Sequence, residues 1–204
     1  MKILAVELST SRGSLIWSSE DVDRARDWPN DRKNSGAFFQ SLAETRQQFG
    51  LPEKIVVGLG PGSYAGTRIA ISAAIGLQLA SSAELVGLPS ICAMECDAAE
   101  YCVIGDARRR SFFFARVCAN ELIEGPDLLS EAELRAKIGE LQNKTSVFAS
   151  EALPQFPRVQ LRYPSARVLA RLAREANRRF VLPPLEPIYL REPHITIPKF
   201  EHRL

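Results

Sequence analysis

Two hydrophobic periods alternate along this chain, and the points where they change mark its elements. Lys2 to Leu8 is an apolar run interrupted only by Glu7, which predicts a buried strand. Ser14 to Ser18 predicts a second strand after the polar turn Ser9-Thr10-Ser11-Arg12-Gly13, so an N-terminal hairpin is expected. From Asn34 to Phe49 the spacing becomes helical: Phe38, Leu42 and Phe49 share one stripe, Ser35 can cap the start, and Gly50-Leu51-Pro52 stops it. A β-branched strand from Lys54 then runs into a glycine-rich turn, which opens directly into an apolar helix reaching Ala80. Glu84 to Leu88 predicts a short strand, and Pro89 begins a helix through about Ala99.

At Tyr101 the pattern restarts. The stretch YCVIGDARRRSFFFARV repeats an apolar strand, an acid, a polar turn and a second apolar strand, with Asp106 in the position Glu7 holds in the first copy. Ser130 to Leu141 predicts a helix opened by a capping box of Ser130 and Glu133, and Ser146 to Ala149 a strand. The chain therefore reads as an approximate duplication, residues 1–100 and 101–204, whose second half lacks a glycine-rich loop. Residues 151–164 read as a proline-punctuated loop, followed by a helix from Ser165 to about Arg179 and a proline-rich tail.

The strand-turn-helix junction carries most of the candidate chemistry. Gly60, Gly62 and Gly66 permit close backbone approach, and Ser63 or Thr67 can cap the helix that follows. A helix start of this kind can face an anion, or it can be a tight connection with no ligand. A nucleotide P-loop needs a lysine after its last glycine, and Thr67-Arg68 stand there instead. Gly60-x-Gly62-x-x-Ala65 with Glu84 partly fits a dinucleotide fingerprint, but it does not follow the first strand and Pro61 stiffens it. Glu7 and Asp106 could face each other across a cleft and hold magnesium through water, as in an ATP-binding enzyme, or each could cap its own turn.

Composition narrows the classes. The chain has 204 residues, 46% of them apolar and 25% charged, enough for a real core. Lys and Arg outnumber Asp and Glu only by 26 to 24, so global charge argues for neither nucleic acid nor membrane. The only histidines, His194 and His202, lie in the tail, which removes histidine-pair metal sites and imidazole-based triads. No catalytic residue and no metal ligand set is therefore expected. Cys92, Cys96, Cys102 and Cys118 lack metal or disulfide spacing and read as reduced packing residues. The N-terminus has no signal-peptide pattern and no run is of membrane-spanning length, so a cytoplasmic protein is expected.

Two helix faces are candidate surfaces. After the glycine turn, Ala70, Ala73, Ala74, Leu77 and Ala80 make a small-residue face, and Ile71, Ile75 and Leu79 make a second apolar one. A helix apolar all round needs cover on both sides, from the sheet and from a second helix of this chain or of another. Arg167, Arg171, Arg174 and Arg178 fall on one stripe of the last helix, and from Arg158 onward basic residues outnumber acidic ones ten to four. That stripe reads as a solvated face or as a contact for RNA or an acidic partner.

GLGPGSYAGTRIAIS resembles the GPGSFTGLRIG-type signature of the TsaB (YeaZ) family, and MKILAVELST, IGDARRRSFFFARV and EPIYLREP match other stretches of that family in the same order. The resemblance spans the chain, more weakly from about 119 to 165. It implies an α/β fold of two ribonuclease-H-like lobes, mixed sheets flanked by helices, of the actin-like ATPase (ASKHA) kind. It implies a required non-catalytic subunit in forming threonylcarbamoyladenosine beside the tRNA anticodon. Such a chain pairs with a TsaD catalytic subunit, or with itself, through its first two long helices, and a TsaE ATPase joins the pair. On this chain the interface would be Phe38, Leu42, Ala70, Ala73, Ala74 and Leu77. Any phosphate role of Gly60, Gly62, Ser63, Gly66, Glu7 and Asp106 would be inherited and weak, no cofactor would be required, and tRNA would be met through the complex. Glu7 stands where the family usually has Asp, Asn34 where it commonly has His, and Tyr64-Ala65 where Phe-Thr is usual.

Overall fold

The apolar run Ile3–Glu7 forms strand β1, and every residue in it is buried. Burial on both faces of a strand requires cover on both sides of its sheet, and that requirement organises the molecule. The computed structural model describes residues 1–30, 35–142 and 144–191, so Asn34, His194 and His202 lie outside the described residues. In chain order the elements after β1 are β2 (Arg12–Ser18), β3 (Asp23–Pro29), α1 (Gly36–Phe49), β4 (Lys54–Gly58), α2 (Tyr64–Ser81) and β5 (Glu84–Leu88). A 3₁₀ turn at Ser90–Ala93 leads to β6 (Glu100–Asp106), β7 (Ser111–Cys118), β8 (Glu121–Ser130), α3 (Glu131–Glu140), β9 (Ser146–Ala149), β10 (Val159–Leu161) and α4 (Ala166–Leu172).

The strands make two five-stranded sheets, ordered β3-β2-β1-β4-β5 and β10-β9-β6-β7-β8. Both follow one plan. The first strand of each half, β1 or β6, pairs antiparallel with the next strand on one side and parallel with a later strand on the other. This mixed α/β architecture bears out the duplication that the restart at Tyr101 predicts. Where the first half crosses from β4 to β5 through the 18-residue α2, the second crosses from β9 to β10 through a loop.

Three cores hold the layers together. Leu4, Val6, Leu15, Ile55 and Val57 face α1 and α2 on one side of the first sheet. Ile3, Ala5, Val56 and Val86 face the other way, into a core shared with α4, the 3₁₀ turn, and Tyr101, Val103 and Ala115 of the second sheet. Ile104, Phe114 and Val147 on the far side of the second sheet pack on Leu134 and Ile138 of α3. The sheets thus divide near residue 100, but residues from 166 onward return to the first half: α4 packs across β1, β2 and β4, and Val181 bridges to Gly87 of β5.

Three strands escape the sequence pattern, and all three are sheet edges. β3 (DRARDWP) is charged and largely exposed, β8 contains Gly125-Pro126 and a register shift near Arg116, and β10 is three residues long. Charges, proline, bulges and shortness are what blunts an edge against further pairing, and they also erase the alternation that announces a strand. The helix expected over 89–99 shrinks to the 3₁₀ turn. The carbonyls of Ile91, Cys92 and Ala93 accept instead from Tyr101 Oη (3.0 Å), Asn120 Nδ2 (2.8 Å) and the Ser165 N–H (3.0 Å). Tertiary donors have replaced the helical ones. The expected 165–179 helix stops at Leu172, where the N–H groups of Arg174 and Glu175 turn back to the carbonyls of Arg171 and Leu172.

Phe38 sits 1% exposed under α1, with its ring beside that of Trp28 at 6.3 Å. Phe38→Ala is expected to lower the urea-unfolding free energy of the isolated chain by about 3–5 kcal/mol. A loss below about 1 kcal/mol would contradict its place in the core.

Candidate functional site

The two duplicated turns meet at a cleft of about 550 Å³. Ser9, Thr10 and Ser11 after β1 form one wall, and Asp106, Ala107 and Arg108 after β6 form another. The glycine turn from Pro61 to Ala65, the 3₁₀ turn and the tail residues Pro187 to Arg191 close the remaining sides. The hydroxyl run of 9–11 is a signal in the sequence whose location at a cleft only the fold reveals.

The glycine turn packs directly on the β1–β2 turn. A Cβ at Gly62 would stand 2.1 Å from the Ser9 carbonyl oxygen, and one at Gly66 2.1 Å from that of Leu8, so neither position has room for a side chain. The Ser63 N–H donates to Ser9 O at 2.5 Å, and Ser63 Oγ caps α2 by accepting from the Gly66 N–H at 3.2 Å. The Gly60 N–H donates to Ser90 Oγ, and the Ser90 N–H donates back to Gly60 O, each at 2.8 Å. Three backbone donors of the turn are thus committed to the chain's own acceptors. The glycines serve close approach of two backbone segments.

The two carboxylates occupy equivalent strand ends and differ in circumstance. Glu7 is fully buried, with Oε1 accepting from the Ser9 N–H at 2.6 Å, and a Cβ at Gly58 would lie 1.7 Å from Oε2. Oε2 and the hydroxyl of Ser9 have no hydrogen-bond partner among the described residues. Burial pushes the Glu7 carboxyl above the usual carboxylate range, outweighing the hydroxyls of Ser9 and Ser90 and the Ser9 N–H, which act the other way. Asp106 caps its own turn: Oδ1 accepts from the Arg108 N–H at 2.7 Å and Oδ2 from Arg108 Nη1 at 3.3 Å. Among the described residues no group of three or more His, Cys, Asp or Glu side chains could hold a metal ion. Glu84 pairs with Lys54 at 3.3 Å at the start of β5.

The candidate interface residues lie in or against the core. Phe38, Ala70 and Ala74 are buried, and Leu42, Ala73 and Leu77 pack half-buried on the same cluster. The row Thr67, Ala70, Ile71 and Ala74, at helical spacing, is what faces the sheet. The outer face of α2 carries Ile75, Gly76 and Leu79, with Ile75 41% and Leu79 84% exposed. The two faces read from the sequence are therefore sorted differently: Ala70 and Ala74 belong to the inner one, Ile75 and Leu79 to the outer. On α1, Phe39 is the exposed ring, tilted against buried Phe38.

The arginine stripe is broken up by the early end of α4. Arg167 Nη2 pairs with Asp27 at 2.6 Å, holding that carboxyl below its ordinary range against the effect of burial. Arg174 Nη2 donates to Ser18 Oγ and Ser19 O, and Arg178 reaches the carbonyls of Ala119 and Asn120 as well as Glu175. Three of the four arginines thus tie the C-terminal segment to the sheets, and Arg171 is left on the surface.

The fold also assembles a pair that the sequence separates. The rings of Tyr64 of α2 and Tyr189 of the tail meet at the cleft, tilted by 33° with centroids 5.3 Å apart, and the Arg68 guanidinium lies 5.1 Å from the Tyr64 ring. The tail is held there by the Ile188 N–H, which donates to Leu59 O at 2.8 Å.

Because folding raises the Glu7 carboxyl, the folded chain holds that proton more tightly than the unfolded one. The resulting stability is complete below the unfolded value and is lost as pH rises through the folded value. Glu7→Gln keeps the acceptor for Ser9 and removes the titration. Its urea-unfolding free energy is expected to overtake that of the parent above the ordinary glutamate range, the gap growing by up to about 1.4 kcal/mol per pH unit. A variant less stable than the parent at every pH would contradict this.

Comparison with known proteins gives consistent results. The family described as TsaD, tRNA N6-adenosine threonylcarbamoyltransferase, matches residues 35–192. Two structures from Pseudomonas aeruginosa superpose over 93% of this chain and 99% of theirs, each at 20% identity. YeaZ does so with a TM-score of 0.70, and an uncharacterized protein with similarity to peptidase YEAZ with 0.72. No curated protein matches significantly. With a two-lobed α/β fold shared with YeaZ, this chain belongs to the family described as TsaD, tRNA N6-adenosine threonylcarbamoyltransferase.

Proposed function

We propose that this chain is a non-catalytic subunit in the formation of N6-threonylcarbamoyladenosine on tRNA, and that it holds a TsaD-like catalytic subunit in a competent state by helix-to-helix packing. Family membership supports the pathway. The observation that carries the subunit role is the outer face of α2. One side of this 18-residue helix covers the sheet, and the other presents Ile75 and Leu79 to solvent around Gly76, where nothing lies within 4 Å of a Cβ. Covering a Leu or Ile side chain stabilises an association by up to about 1.5–3 kcal/mol, and the bare backbone at Gly76 lets a second helix approach closely.

The state of the cleft supports the same reading. A magnesium-dependent ATP enzyme would need Glu7 and Asp106 at the ligand, but one is sealed beneath Gly58 and the other is engaged by Arg108. Three N–H groups of the turn that would cradle phosphate, those of Gly60, Ser63 and Gly66, are taken by Ser90, Ser9 and Ser63. Nucleotide binding is then weak and not required for function. A TsaE-like ATPase joins the pair in the cytoplasm, and in the absence of the catalytic subunit the same α2 face closes a homodimer.

Leu79→Arg, at an exposed position, is expected to leave the chain folded, with an unchanged unfolding midpoint, and to lower its affinity for the TsaD-like subunit at least about tenfold. Ala74→Arg, buried at 2% exposure, should instead unfold the chain. Undiminished co-purification of the folded Leu79→Arg variant with the catalytic subunit would remove α2 from the interface.

A further inference from the structure

The β6–β7 turn carries three consecutive arginines in the left-handed backbone region, of which Arg108 lines the cleft and Arg109 and Arg110 follow it. Arg108, Arg109 and Arg110 have φ of 66°, 53° and 60°, a conformation that L residues with side chains adopt at a cost. All three are exposed. Arg108 pairs with Asp106, while Arg109 and Arg110 have no hydrogen bond or ion pair among the described residues. The arginines of 167 to 178 differ, since most of them are engaged by the chain's own acceptors.

Across the same cleft stand Tyr64 and Tyr189, their rings in contact at a 33° tilt yet 49% and 43% exposed. Arg68 fixes the Tyr64 ring, with Nη1 donating to the phenol oxygen at 2.5 Å. Unpaired guanidinium groups are suited to phosphates, and exposed aromatic faces to unstacked bases. Single-stranded RNA presents both together, and a protein partner has no need of the combination. We infer that the rim formed by Arg108–Arg110 and the Tyr64–Tyr189 pair binds a single-stranded RNA segment, its backbone on the arginines and a base on the tyrosines. This rests on the tRNA role proposed above and moves the RNA contact from the last helix to the cleft rim.

The test titrates the full chain with labelled oligouridine of about twelve nucleotides at salt from about 50 to 200 mM, where backbone contacts make affinity salt-dependent. Arg109→Glu with Arg110→Glu is expected to weaken binding at least tenfold and to flatten the log–log salt slope by about 1.4, the share of two phosphates. Tyr189→Ala is expected to weaken binding about fivefold or more with the slope unchanged, and Tyr189→Phe to restore it. Four results would overturn the inference: no binding by the parent chain at the lowest salt, no change of slope on charge reversal, equal affinity for blunt duplex RNA, or displacement of the RNA by polyglutamate. Co-purification of the same variants with the TsaD-like subunit reads the subunit role separately. Lost pairing by the parent chain would overturn that role alone, and retained pairing without RNA binding would overturn only the rim.

Discussion

The contact of the glycine turn with the β1–β2 turn fixes the geometry of the first lobe. Backbone meets backbone where Gly62 and Gly66 touch the carbonyls of Ser9 and Leu8, and the Ser63 N–H locks the approach. From that contact follow the start of α2 at Tyr64, the cover it gives the first sheet, and the direction in which its outer face points. The cleft depends on the same contact, because the turn forms one of its walls. A strand-turn-helix junction with three glycines suggests a ligand cradle; here two of the glycines also serve the close approach of another part of the chain.

The duplication was legible because its central strands are buried on both faces and keep their apolar runs. β1, β2, β4, β6, β7 and β9 announce themselves in this way, and β5 does so although it is an edge, because Leu85 to Leu88 are buried. β3, β8 and β10 did not, since edge strands carry the charges, prolines and irregularities that prevent further pairing. The capping box of α3 is legible because Ser130 and Glu133 satisfy each other's backbone within one turn. Nothing local could show that Tyr101, Asn120 and Ser165 would take the carbonyls of a helix expected after Pro89.

The site was legible in its parts and not in their relations. The glycines, Glu7 and Asp106 stand out in the sequence, yet the burial of Glu7 depends on Gly58 and Ser90, which come close only in the fold. The two faces of α2 could not be sorted, because alanine, isoleucine and leucine are all apolar and only the sheet decides which row is covered. Tyr64 and Tyr189 could not be paired, because the tail returns to the first lobe through the Leu59 carbonyl. Arg167, Arg171, Arg174 and Arg178 share one stripe of the sequence pattern, and all but Arg171 hold the C-terminal segment in place.

The physical account of function is a division of labour. In the proposed role, three N–H donors of the glycine turn stay with the chain's own acceptors, and the exposed outer face of α2 is what a partner would cover. The most direct measurement is threonylcarbamoyl transfer to tRNA by the cognate TsaD-like subunit, assayed with and without this chain, alongside steady-state ATP hydrolysis by this chain alone. The account predicts transfer only when both subunits are present and no hydrolysis by the isolated chain. Transfer undiminished by its omission, or sustained hydrolysis by the chain on its own, would contradict it.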